Sequence, residues 1–152
     1  MKKIPYILLL LLLAALLASC ASIQRSKDEG NIERISELIN TGQSAKLTAM
    51  TELPFLLDQE IIVLAKDVET FWNTIVEVGF KVEEPALERG VEVGPESYKE
   101  FYDSMEVQTF FKKYLEKRSR LLELKTNTGQ RILLLVTDTL FTRTIHGFKG
   151  PY

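Results

Sequence analysis

The stretch SRLLELKTNTGQRILLLVTDTLFTRTI, residues 119–145, decides the fold. Its apolar residues fall in three short runs: Leu122 with Leu124, Ile132 to Val136, and Leu140 to Ile145. Asn127-Thr128-Gly129 and Asp138-Thr139 separate them. Turn formers between strand-length apolar runs join neighbouring strands as hairpins, so the stretch predicts a three-stranded antiparallel meander. A sheet of this kind has an apolar face that helices elsewhere in the chain must cover.

The preceding sequence supplies them. Gly94-Pro95 predicts a helix start with proline in the first turn and Tyr98, Phe101, Tyr102 and Met105 on one face. Val107, Phe110, Phe111 and Tyr114 continue the stripe, either in the same helix or in a second short one. Residues 80–94 are charged and carry Pro85, Gly90 and Gly94, which predicts a loop with a short strand at 91–93. Before it, Asp67 is placed to cap a helix whose Val68, Phe71, Trp72 and Ile75 share a face and which stops at Gly79. Leu53-Pro54-Phe55-Leu56-Leu57 and Glu60-Ile61-Ile62-Val63-Leu64 flank Asp58-Gln59 as a hairpin, with Pro54 near an edge or a strand start. Ile32, Ile35, Leu38 and Ile39 predict a leading helix capped by Asn31 and ended by Gly42. A rival capping box, Ser26 with Glu29, would place Gly30 inside the first turn at a cost of about 1 kcal/mol, so the later start is expected. The whole reads as α+β: a curved antiparallel sheet packed against helices.

The N-terminus carries a different message. Lys2 and Lys3 precede an apolar run from Ile7 to Ala18, and small residues then lead to a cysteine. Twelve apolar residues are too few for a spanning helix, which needs roughly 20, and the order is that of a signal peptide. Leu17-Ala18-Ser19-Cys20 resembles the lipobox of bacterial lipoproteins. That resemblance implies cleavage before Cys20 and a diacylglycerol on its sulfur. It divides the chain into a signal peptide (1–19), a polar lipidated tether (20–30) and a single α+β domain (31–152). The resemblance also implies a cell-envelope location. Ala21 is not the aspartate associated with inner-membrane retention, so the outer membrane is favoured in a Gram-negative host.

Without residues 1–19 the chain has 133 residues, enough for one domain with a sizeable core, and 17 basic against 21 acidic side chains, a formal net of −4. Nucleic acid is not an expected partner, and a basic attraction to anionic headgroups is not expected either. The expected membrane connection is the lipid on Cys20, each buried methylene contributing about 0.8 kcal/mol. Cys20 is the sole cysteine, so the domain has no disulfide to draw on.

Around residues 31–150 the chain resembles the nuclear transport factor 2-like superfamily, a cone-shaped fold shared with ketosteroid isomerase and polyketide cyclases. The resemblance rests on Leu53 to Asp58, the helix around Phe71-Trp72, Phe110-Phe111-Lys112-Lys113-Tyr114-Leu115, and the ending Ile145-His146-Gly147-Phe148-Lys149-Gly150-Pro151. It implies either an enzyme or a binding module. Isomerase-type catalysis needs a carboxylate base facing a tyrosine and a protonated acid, but the leading helix has no tyrosine and Asp58 falls at a turn. Cyclase-type relatives use a histidine with an acid, and His146 is the only histidine. Strand alternation sets it with Leu140, Thr142 and Thr144, leaving open which face is inside.

Trp72, Tyr98, Tyr102 and His146 are the pocket candidates, with core packing the competing role for the aromatics. Lys112, Lys113, Lys117, Arg118 and Arg120 form a basic cluster that a solvated face explains. No metal-ligand spacing, phosphate loop or nucleophile elbow is present, and no cofactor is expected. The expectation is a membrane-anchored envelope lipoprotein with a non-catalytic domain that binds a small apolar ligand or an envelope protein. The alternative is a small-molecule enzyme of isomerase, cyclase or hydrolase type, using His146 and an acid in the cone.

Overall fold

A computed structural model describes the backbone of residues 4–139 and 142–152, and side chains from Cys20 onward. Lys2, Lys3, the side chains of the apolar run through Ser19, and Leu140 with Phe141 lie outside the described residues. The elements are α1 (Ile4–Asn40), α2 (Ser44–Met50), β1 (Thr51–Leu57), β2 (Glu60–Ile62), α3 (Ala65–Glu77), β3 (Ala86–Glu92), α4 (Tyr98–Phe101), α5 (Met105–Tyr114), β4 (Arg120–Lys125), β5 (Arg131–Asp138) and β6 (Arg143–Lys149).

The meander is present, with Leu122 opposite Leu134 and Leu134 opposite Phe148, but its third strand is Arg143–Lys149 and not the expected run 140–145, of which Leu140 and Phe141 lie outside the described residues. It sits inside a six-stranded open sheet ordered β2-β1-β6-β5-β4-β3. The expectation of a wholly antiparallel sheet is corrected, because β1 returns beside β6 in parallel. That pairing shifts register between Thr51 and Leu56, and Pro54, which has no N–H to give a ladder, lies in the shifted segment.

Helices cover both faces of the sheet, not one. Leu122, Leu124, Ile132, Leu134 and Val136 pack with Ile32, Ile35, Leu38, Leu47, Val68 and Trp72 from the α1–α3 layer. Leu121, Leu133 and Leu135, the alternate residues of the same strands, pack with Tyr98, Phe101, Val107, Phe110 and Phe111 from α4 and α5. The cause is in β5: Ile132 to Val136 is five apolar residues in a row, and a strand without alternation must be buried on both sides.

Two helix boundaries depart from the expected ones. Residues 20–30 are not an extended tether, since α1 runs through them to Asn40. The cost of Gly30 in mid-helix, about 1 kcal/mol, is offset by tertiary bonds. Asp28 is buried and accepts from Arg120 at 3.2 Å (Nε) and 2.5 Å (Nη2) and from Gln24 at 3.1 Å. Arg25 donates to the Leu87 carbonyl at 3.3 Å, and Asn31 to Asp138 at 3.2 Å. Gly90 gives Asp28 room: a Cβ there would collide with its carboxylate. In α3 the cap position is Leu64, and Asp67 lies in the first turn, where its charge favours the positive helix end.

The expected helix from Pro95 is interrupted. Tyr102 is extended, and Ser104 accepts from the Val107 N–H at 3.2 Å to start α5 afresh. A side-chain cap thus splits one apolar stripe into two helices. The expected loop of 80–94 contains β3, an edge strand whose charged residues find partners: Arg89 pairs with Glu100 and Glu123, and Glu88 with Lys125 and Arg131.

Candidate apolar binding groove

An open concave feature with a mainly apolar lining lies at the β2 edge, where the β1–β2 hairpin diverges from α5. Leu53, Pro54, Ile61 and Val63 form one wall, and Met105, Thr109, Phe110 and Tyr114 the other, around about 570 Å³. Glu106 contributes the one carboxylate of this lining. Val63 is 65% exposed and Met105 79%, so large apolar side chains here face solvent and not the core. Their exposure follows from local structure. Ladder pairing of β2 ends at Ile62, so Val63 and Leu64 run on as an unpaired connection to α3, and Met105 occupies the first helical position after the Ser104 cap. The groove can bind apolar surface; it contains no nucleophile–base pair and no histidine.

The four expected pocket residues do not share a cavity. Trp72 of α3 is fully buried over β1 and β6, 4.6 Å from the Phe71 ring and 5.8 Å from that of Phe148, with Nε1 donating to Thr51 at 2.9 Å. Tyr98 is buried under the opposite face, and Tyr102 is exposed beyond the end of α4. Side chains fill the space between α1–α3 and the sheet where a cone pocket would open.

His146 is 4% exposed and sits at a register shift where Leu135 pairs with Gly147 and Val136 with Ile145. Cover on both faces explains why residues 145–148 are all buried, and the bulge explains why Ile145 and Phe148, three residues apart, meet the same helical layer. His146 Nε2 lies 2.9 Å from the Thr137 hydroxyl, itself 3.0 Å from the buried Ser119 hydroxyl. Burial pushes the imidazole pKa below its ordinary 6.5, while Glu52 and Glu116 pull weakly the other way. Asp58 stands at the β1–β2 turn with φ of 52° and accepts from the Gly150 N–H at 3.0 Å, which is a turn-closing role.

Arg120 leaves the basic cluster to form the buried pair with Asp28. Cys20 is exposed on α1. Among the described residues no helix is long and apolar enough to cross a membrane, and no group of three metal-ligating side chains is assembled.

The groove was not anticipated. Its signal is the run Ile61-Ile62-Val63-Leu64, four apolar residues beside a turn and too close to the next helix for all to point inward.

No protein-family model matches the chain, and no curated protein matches it in sequence. A solved structure described as a de novo designed protein with a curved β-sheet is similar at 11% identity and a TM-score of 0.47, covering 83% of this chain and 95% of its own.

Proposed function

We propose that the protein is a cell-envelope lipoprotein, anchored through acyl chains on Cys20, whose domain binds an apolar partner and does not catalyse. The observation that carries the binding reading is the contrast between an open apolar groove and a sealed histidine. A concave surface lined mainly by apolar side chains with a few polar groups is the usual form of a binding site. His146, the residue any acid–base alternative depends on, is buried, hydrogen-bonded to Thr137 and absent from the groove lining. The signal-like N-terminus and the exposure of Cys20 support the anchor. The nuclear transport factor 2-like cone is the proposed finer fold. Its support is the order of leading helices, hairpin, helix and closing meander; in this reading the cone's interior is filled and its binding surface has moved to the β2 edge.

The test has two arms. Labelled fatty acid should enter the wild-type protein and not Cys20→Ala, and a wild-type protein that takes up no label refutes the anchor. In a strain lacking the gene, Met105→Glu with Val63→Asp should fail to restore the deletion phenotype while the protein stays folded, and His146→Asn should restore it. The reverse pattern would establish the enzyme reading.

A further inference from the structure

We propose that the lipidated end of the chain lays the β3 edge of the sheet against the bilayer and holds the apolar groove at the opposite edge, facing away from it. The proposal rests on the reading of Cys20 as the lipid carrier and adds an orientation to it. A flexible tether would let the domain tumble, but residues 20–30 are helical and bonded down. Asp28 is clamped by Arg120, Arg25 is bonded to the Leu87 carbonyl, and Asn31 to Asp138, so the helix is held on the sheet at three points. Cys20 precedes Asp28 by eight residues, about 12 Å along a helix.

The helix leaves the domain at one place. Ala21 lines a shallow cleft with Leu87 and Gly90 of β3, which puts the acyl-bearing residue beside the edge strand. β3 has a strand neighbour, β4, on one side only. Two of its three charged residues are paired with opposite charges, Glu88 with Lys125 and Arg131, and Arg89 with Glu100 and Glu123, while Glu92 shares a cleft with Lys27 and Arg118, so cations stand beside the acids along this edge. β2 lies five strand spacings away, about 24 Å. A partner in the aqueous compartment therefore reaches the groove without displacing lipid.

The full-length protein is isolated from bacterial membranes, its Cys20 peptide weighed for acyl chains, and the protein placed in nanodiscs whose headgroups carry a gadolinium chelate. Amide signals of Glu88 and Glu92 should broaden away, while those of Ile61, Ile62 and Met105 keep their intensity. A Gly-Ser-Gly insertion after Ser22 should level the difference with the acyl mass unchanged. Acylated protein with uniform broadening, or with broadening at β2, overturns the orientation alone. A Cys20 peptide without acyl mass overturns the anchor reading and the orientation with it.

Discussion

The two helical layers of this domain bury their sheet faces differently. Under α1–α3, Phe55, Phe71, Trp72 and Phe148 meet at ring distances of 4.6 to 6.2 Å, and Trp72 and Phe55 have no exposed surface. Under α4–α5, Phe110 and Phe111 are also buried, but the layer covers the β2 edge only in part and leaves Met105, Tyr114 and Val63 in the open. The difference is one of continuity. The buried residues of α1 run without a break from Asp28 to Ile39 and α3 spans 13 residues, whereas the second layer consists of helices of 4 and 10 residues broken at Ser104. A short layer cannot cover a six-stranded sheet, and the uncovered part is the groove.

Substitutions on the two sides should separate accordingly. The largest effect is expected at Trp72→Ala, about 3 to 5 kcal/mol by denaturant titration, since it leaves a cavity among close-packed rings and removes the indole N–H bond to the Thr51 hydroxyl. A loss below 1 kcal/mol would mean that the α1–α3 side is loosely packed and the contrast is false.

Arg120→Ala comes next, at about 3 kcal/mol, because it leaves the buried Asp28 carboxylate without its guanidinium. Arg131→Ala, on half-exposed pairs, should cost under about 1 kcal/mol in the same titration. Equal costs would show that α1 is not held by the Asp28 clamp.

A smaller effect belongs to His146. Because burial holds its folded-state pKa below about 6.5, proton uptake favours the unfolded chain. Its contribution is complete above pH 6.5 and is lost as pH falls from there through the lower folded-state value. Melting curves of wild type should therefore drop across that window relative to His146→Asn, and parallel curves for the two proteins would contradict a sealed imidazole.

The smallest stability effect is expected in the groove. Met105→Ala and Val63→Ser should each stay within about 0.5 kcal/mol of wild type, the range of ordinary surface sites. Melting shifts as large as those of core variants would place these side chains inside the domain and remove the binding surface.

Much of the architecture was legible. Period and turn chemistry located the meander, the β1–β2 hairpin and α3, because Gly79 and Asn127-Thr128-Gly129 interrupt clear apolar patterns. β3 reads as mostly loop in sequence because its strand character depends on partners: Arg89 and Glu88 make poor strand patterning until Glu100, Glu123 and Lys125 stand beside them. The helical state of residues 20–30 was hidden for the same reason, since Asp28 looks like a tether residue until Arg120, 92 positions later, closes on it. The groove was hidden because an apolar residue looks the same in sequence whether a neighbour covers it or not.

By itself the sequence determined what is local or compositional: an α+β domain, its meander, one cysteine behind an apolar run, and one histidine without a partner motif. The tertiary structure decided what depends on distant neighbours. It set β1 parallel to β6, buried His146 at a bulge, sent Trp72 to the core, turned residues 20–30 into a clamped helix, and left the β2 edge partly uncovered. The physical reason is that periodicity reports which face of an element is apolar, whereas burial and ionisation depend on what packs against that face.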